Sequence, residues 1–206
     1  MTTQALSYAK GSCFLWETAG LRPIVTPERF SDEQRQFAAA AREFADNEIM
    51  PRLREIESRK QGVMPMLLQK AGELGLLMPA VPEAYGGLGL DKTTTMLLAE
   101  QFAGLGSFSV ALGAHTGIGT LPIVYFGTAE QKRRYLPDLA TGKRLAAYAL
   151  TEASSGSDAL SARTKAVRTP DGKAYLLSGS KQFITNAAFA DVFIVFAKVA
   201  GEKFSC

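Results

Sequence analysis

Between residues 148 and 158 the chain reads Tyr148-Ala149-Leu150-Thr151-Glu152-Ala153-Ser154-Ser155-Gly156-Ser157-Asp158, passing from strand-forming residues into small and hydroxyl-bearing ones. Serines and a glycine let main-chain N–H groups come close to an anionic or polar partner. Thr151, at the strand end, can offer both hydroxyl and amide to the edge of a ring. The same composition also describes a plain serine-rich turn, and residue chemistry alone weighs the two evenly. Further on, Gly179-Ser180-Lys181-Gln182-Phe183-Ile184-Thr185-Asn186 sets Phe183 and Thr185 two positions apart, which in a strand turns both to one face. That face can wall a flat ring. Without other context, the pattern is better described as a strand with a core phenylalanine and an incidental threonine.

Other chemistries have less to work with. The single histidine, His115, excludes a metal site built from several imidazoles, and any histidine-based triad would have to use that residue alone. Its place in a helix–loop region suits a side chain satisfied by a neighbour better than one that transfers protons. Cys13 and Cys206 sit near opposite ends and make neither a disulfide framework nor a zinc motif, which fits a reducing compartment. A hydrolase acting through Ser157 lacks a nucleophile-elbow pattern and a positioned base. With 23 Lys+Arg against 20 Asp+Glu the net charge is +3, and no dense basic run marks a nucleic-acid surface. No continuous apolar run reaches the roughly 18 residues of a membrane span, and the N-terminus resembles neither a signal nor a transit peptide. These features predict a cytoplasmic protein.

The elements that must position these segments follow from caps and periodicity. In 206 residues, 47% are hydrophobic and 21% charged, a globular composition without repeats or low complexity. Residues 1–29 read as an extension in which Pro23 and Pro27 stop any helix. Ser31 with Gln34 makes a capping box, and Phe37, Ala41, Phe44 and Ile49 recur at helical spacing up to Pro51. Further helices pass through Leu53 and Ile56, through Met66 to Leu74, from about Thr93 to Phe102 behind Asp91, through Ser109 to Phe126 with a break at Pro122, and onward from a Thr128/Gln131 capping box. Residues 30–144 therefore form a helical domain. From 145 to 206 β-formers dominate, and Pro170-Asp171-Gly172 is a hairpin turn. The fold class is α+β, with an antiparallel β domain after the all-α domain. The last strand begins at Lys203 and stops within a few residues, leaving a hairpin unfinished, so the chain is expected to be a fragment.

Taken together, the chain resembles the acyl-CoA dehydrogenase family over nearly its whole length. Tyr148-Ala149-Leu150-Thr151-Glu152 with Gly156-Ser157-Asp158 is similar to the family's first signature, and Gly179-Ser180-Lys181-Gln182-Phe183-Ile184-Thr185-Asn186 to its second flavin segment. Pro82-Glu83-Ala84-Tyr85-Gly86-Gly87-Leu88-Gly89 resembles the helical-domain loop, and Phe126-Gly127-Thr128-Ala129-Glu130-Gln131-Lys132 with Tyr135-Leu136-Pro137 its later helix. Two departures lie inside the motifs: Ala153-Ser154-Ser155 stands for the usual Pro-Gly-Ala, and Phe183 for the commoner Trp.

The resemblance implies a helical domain, a middle β domain and a C-terminal helical bundle, with FAD between the last two and the bundle outside this chain. By position, Tyr148, Leu150 and Thr151 would border the isoalloxazine, with Thr151 hydrogen-bonding its pyrimidine edge. Gly156 and Ser157 would reach the phosphates, and Ser157 would also touch the acyl-CoA. Phe183 and Ile184 would lie against the ring system, with Phe183 packing on it and Thr185 near flavin N5. The family's glutamate base, which takes the α-proton as hydride leaves the β-carbon for N5 to give a trans-2-enoyl-CoA, would lie in the missing bundle. Glu152 is read as structural. The N-terminal extension and Phe183-Ile184-Thr185-Asn186 look more like the branch acting on long acyl chains. An electron-transfer flavoprotein-like acceptor and a homo-oligomer of the full-length protein are implied as well. The alternative is a non-catalytic flavin or acyl-CoA binding subunit completed by a separate helical partner.

Overall fold

The computed structural model describes residues 11–206 except 19, 21, 23, 25 and 202; of the expectations above, Pro23 and the first ten residues of the extension fall outside them. Helix α1 (Asp32–Phe44) starts where the capping box places it: the Ser31 hydroxyl accepts the Gln34 N–H at 3.1 Å, and the Gln34 side-chain oxygen accepts the Ser31 N–H at 3.0 Å. Two orphan donors are thereby satisfied. The chain then widens into a π-turn (Ala45–Ile49) and tightens at Met50–Arg52, where Pro51 has no N–H to give. Short α2 (Leu53–Glu57) and α3 (Val63–Glu73) follow. In the Pro82–Gly89 loop, a Cβ on Gly87 would lie 1.9 Å from the Val81 carbonyl oxygen, so only glycine lets the loop close there. Helix α4 (Lys92–Phe102) is capped by Asp91, which accepts the Thr94 N–H at 2.7 Å. It packs along α1, tied to it by Gln34 donating to the Thr94 hydroxyl at 3.0 Å.

Ser107–Phe126 is one run of 20 helical residues, by length and composition able to cross a membrane, whereas the sequence alone predicts no such run. The difference arises because Gly, Ser and Thr interrupt the apolar pattern without ending the helix. Its parts are α5 (Ser107–Gly113), a π-turn (Ala114–Gly119) and α6 (Leu121–Phe126). Here it serves as a core element. Phe108 stacks obliquely on Phe102 with ring centroids 5.6 Å apart, inside a core that also holds Phe44, Leu67, Leu68 and Leu98. Ile123 belongs to a second core with Val81, Leu136, Leu139 and Ala146. Leu136 and Leu139 come from α7 (Ala129–Ala140), which opens on the expected Thr128/Gln131 capping box.

The β part is mixed, where the sequence predicts an antiparallel sheet. Strand β1 (Ala146–Ala149) runs parallel to β4 (Val192–Val195). A second sheet has the order β3-β2-β5-β6, with β2 (Lys165–Arg168) antiparallel to β3 (Tyr175–Ser178) but parallel to β5 (Ala197–Val199), and β5 antiparallel to β6 (Lys203–Ser205). The hairpin turn at Pro170-Asp171-Gly172 is as expected, closed by the Gly172 N–H on the Thr169 carbonyl at 2.8 Å. Both parallel pairs follow from one event. After the β2–β3 hairpin the chain returns through 179–191 and then runs as β4 and β5, separated only by Phe196, beside the strands that preceded the hairpin. Val192 and Ile194 pack into the second core with α6 and α7, so β1 and β4 are seated on the helices.

Candidate functional site

The first candidate segment leaves β1 at Ala149, so Leu150 and Thr151 lie just beyond the strand. Tyr148 is half-buried, its ring 5.1 Å from that of Phe196. Glu152 is 6% exposed and gathers three stretches of chain. It accepts the N–H of Arg163 at 2.6 Å, the N–H and hydroxyl of Thr164 at 2.9 and 2.5 Å, and the Lys181 ammonium at 2.9 Å. Burial alone pushes this carboxyl up, but the bonds from Thr164, Arg163 and Lys181 outweigh it and bring its pKa down to about 2. A carboxylate so engaged is ionised and fixed, as its structural reading expects, and has no freedom to act as a base.

After Glu152 the chain doubles back, with Glu152 and Ser155 exchanging backbone hydrogen bonds at 3.0 and 3.1 Å. Gly156 and Ser157 stand exposed beyond that turn. A Cβ on Gly156 would meet nothing within 4 Å, so packing within the chain does not require glycine here.

The second segment is not the strand its alternation predicts. Residues 181–186 form a loop in which Phe183 and Asn186 take left-handed backbone, φ 57° and 69°, conformations unfavourable for an aromatic and tolerated by asparagine. Tertiary anchors override the strand pattern. At one end Lys181 donates to the Leu150 carbonyl and to Glu152, each at 2.9 Å, while the Gln182 N–H meets the Thr151 carbonyl at 3.0 Å. At the other, the Asn186 amide donates to the carbonyls of Ala111 at 2.9 Å and Ala146 at 3.2 Å. Its buried Oδ1 has no partner among the described residues. Phe183 is not a core residue; its ring is 86% exposed.

Phe183, Ile184 and Thr185 all line a cavity of about 1210 Å³. That three consecutive residues reach one cavity suits this loop better than the alternation of a strand. The opposite wall is helical, including Ile56, Met64, Val110 and Ala111, with Glu57 and Arg59 at the same cavity. Glu57 accepts the N–H and hydroxyl of Ser107 at 3.0 and 2.8 Å, bonds that hold its carboxyl below the usual carboxylate range and tie α2 to α5. Tyr148, Leu150, Thr151, Gly156 and Ser157 are not among the lining residues, although Thr151 is joined to the lining loop through Gln182. The Thr151 and Thr185 hydroxyls have no partner among the described residues and are available to a ligand.

Lys181, Asn186 and Glu57 carry no sequence signal for these roles. Their partners lie 29 to 75 positions away for most of these bonds, and nothing local indicates them. His115 behaves as the sequence suggests. Fully buried, it donates from Nε2 to the Leu139 carbonyl at 3.0 Å and accepts the Ala146 N–H on Nδ1 at 3.0 Å, the bonding of a neutral imidazole. Burial lowers its pKa. Among the described residues no cluster of three or more His, Cys, Asp or Glu comes together to hold a metal.

Comparison with known proteins adds to this geometry. Residues 31–143 match the model of the acyl-CoA dehydrogenase N-terminal domain, and residues 147–206 that of the middle domain. A probable acyl-CoA dehydrogenase of Bacillus subtilis is 52% identical over 205 residues, 100% of this chain and 34% of the relative. The human mitochondrial very long-chain specific acyl-CoA dehydrogenase is 51% identical over 128 residues, 61% of this chain and 19% of that protein. Among solved structures, an acyl-CoA dehydrogenase of Bacillus anthracis complexed with FAD superposes with a TM-score of 0.86 at 55% identity, covering 88% of this chain and 31% of that one. The chain thus spans about a third of the length of the first of these relatives. Two consecutive domain models that together match well over half of the residues show that the chain belongs to the acyl-CoA dehydrogenase family.

Proposed function

We propose that this chain supplies one wall of the flavin site of an FAD-dependent acyl-CoA dehydrogenase acting on long-chain acyl-CoA thioesters. The observation that supports this most is Phe183, exposed at a cavity on a loop tied down at Lys181 and Asn186 and joined through Gln182 to the Thr151 segment. An aromatic side chain held outward on left-handed backbone has no packing role within the chain, and a flat ring stacked on it supplies one. The residues present fit the cofactor. Phe183 and Ile184 offer an apolar surface, the Thr151 and Thr185 hydroxyls are free to donate, and the space beside Gly156 accommodates a phosphate near exposed main chain.

When bound, FAD would supply a two-electron acceptor for hydride from the substrate β-carbon, with the α-proton leaving to a carboxylate base to give a trans-2-enoyl-CoA. Tyr148, Leu150 and Thr151 would hold the ring's pyrimidine side, Gly156 and Ser157 the phosphates, and Thr185 the region of N5. Ser157 would also meet the acyl-CoA. Donors fixed where the ring gains negative charge favour its reduced state without having to reorganise. The family resemblance puts the base outside these 206 residues, and Glu152, its oxygens engaged and its pKa brought down to about 2, would be a poor proton acceptor. Resemblance to the very long-chain relative supports the substrate class. An electron-transfer flavoprotein-like acceptor, a cytoplasmic location and a homo-oligomeric full-length enzyme belong to the same proposal.

Joining residues 1–206 to the remaining C-terminal part of the Bacillus anthracis relative tests it. The chimera should bind FAD and oxidise a long-chain acyl-CoA with a dye acceptor, whereas the 206-residue chain should hold FAD only weakly and oxidise nothing. Turnover by the short chain, or a folded chimera that takes up no flavin, would refute it.

A further inference from the structure

The loop from Lys181 to Asn186 places Phe183–Thr185 at the cavity, and its conformation is one that an aromatic residue does not choose on its own. Something must hold it. The end nearer Thr151 is held by one side chain, the Lys181 ammonium, which is nearly buried with 11% of its side chain exposed. It bridges the Leu150 carbonyl and Glu152, on either side of Thr151. Immediately after it, the Gln182 N–H closes onto the Thr151 carbonyl. Glu152 is in turn fixed by Arg163 and Thr164 at the entrance to β2, so the position of Lys181 is referred to the sheet and not only to the neighbouring loop.

A buried ion pair adds little net stability over apolar neighbours of similar volume, since desolvating both charges offsets most of their attraction. Its distinctive effect is directional. Charge-assisted bonds to a carbonyl and a carboxylate determine where the lysine stem, and hence the next residues, must lie.

We infer that Lys181, paired with Glu152, is a positioning residue that fixes the Phe183–Thr185 loop relative to the Thr151 segment, and so the placement of the face that would meet the flavin ring. The functional part rests on the flavin reading above; the structural part stands without it. Asn186 anchors the far end through Ala111 and Ala146, so loosening at Lys181 should open the loop at one end only.

The test uses Lys181→Met, which keeps most of the stem and removes the ammonium, and the charge-balanced double variant Glu152→Gln with Lys181→Met. In the 206-residue chain, hydrogen exchange at the Gln182 amide should be faster than in the parent by roughly tenfold or more, the scale of a lost charge-assisted bond. The amides of Leu98 and Leu136, in the two cores, should exchange as before. The double variant should leave Gln182 as unprotected as Lys181→Met alone does. In the chimera, Lys181→Met should weaken FAD binding by a similar factor and alter the absorption envelope of the bound flavin.

Unchanged protection at Gln182 in Lys181→Met overturns the inference. So does recovery of that protection together with melting temperature in the double variant, or loss of fold in both variants, each of which makes the pair a stability element. If the parent chimera folds but binds no FAD, the flavin reading fails, while exchange at Gln182 still decides the role of Lys181 in the loop.

Discussion

Phe183 shows at the scale of one residue how local preference yields to a site. Its φ of 57° is unfavourable by about 1–2 kcal/mol for a side chain with a Cβ, and its ring, 86% exposed, recovers little of that through burial. Phe183→Gly removes the strain and adds roughly 0.5–1 kcal/mol of unfolded-state freedom to be lost on folding. The melting temperature should therefore stay level or rise slightly, while FAD binding by the chimera weakens as the stacking surface disappears. A clear fall in melting temperature with flavin affinity unchanged would mean that the ring packs for stability and not for a ligand. Glu152 is the opposite case, a carboxylate with every sign of chemistry except freedom: partners on two other segments keep its proton off down to about pH 2. Its place at a strand end inside a motif suggests a structural role, but the partners that fix it, 11 to 29 positions away, are not written locally.

Helices begin where Ser31, Asp91 and Thr128 say they should, because a cap is a contact between residues three apart and is written locally. The sheet was less legible. Alternation marks a strand but not its partner's direction, and the parallel pairings of β1 with β4 and β2 with β5 depend on where the 179–191 return places the chain. The loop carrying Phe183 and Thr185 has the sequence of a strand but not its shape for a related reason: its shape is imposed by Lys181 and Asn186 from contacts distant in sequence. The seam between helices and sheet has its own device in His115, which links the Leu139 carbonyl of α7 to the Ala146 N–H of β1. Burial lowers its pKa from 6.5, so the unfolded chain takes up the proton first as pH falls. The contribution of neutral His115 is thus present above about 6.5 and is lost below it, whereas that of Glu152 goes only between 4.5 and about 2. Urea midpoints of the parent should drop as pH falls below 6.5, and His115→Gln, which has no proton to gain there, should have a lower but flatter profile. Parallel profiles for the two proteins would remove His115 as the cause.

Across the whole molecule, apolar surface is distributed unevenly. The helical half closes around two cores, but β3 is an edge strand whose four residues are all exposed, with Tyr175 at 52%, Leu176 at 65% and Leu177 at 54%, next to Val167 on β2 at 58%. Successive side chains alternate between faces, so Leu176 exposes one face of the strand and Tyr175 with Leu177 the other. An edge with unpaired N–H and C=O groups and apolar side chains on both faces favours pairing with another chain, and no proline or inward charge on β3 blunts it. The 206-residue chain should therefore self-associate at micromolar to millimolar concentrations, the range in which exposed edges aggregate. Sedimentation velocity should show weight-average mass rising with concentration. Leu176→Lys with Leu177→Lys places a charge on each face of the strand and should return the chain to monomer without lowering its melting temperature, since both positions are mostly exposed. Association that persists in the double lysine variant would shift the cause to another apolar exposure, such as Tyr125 and Phe126 on α6, where Phe126 is 85% exposed. A chain that stays monomeric throughout the range would show that the twist and shortness of β3 protect the edge on their own.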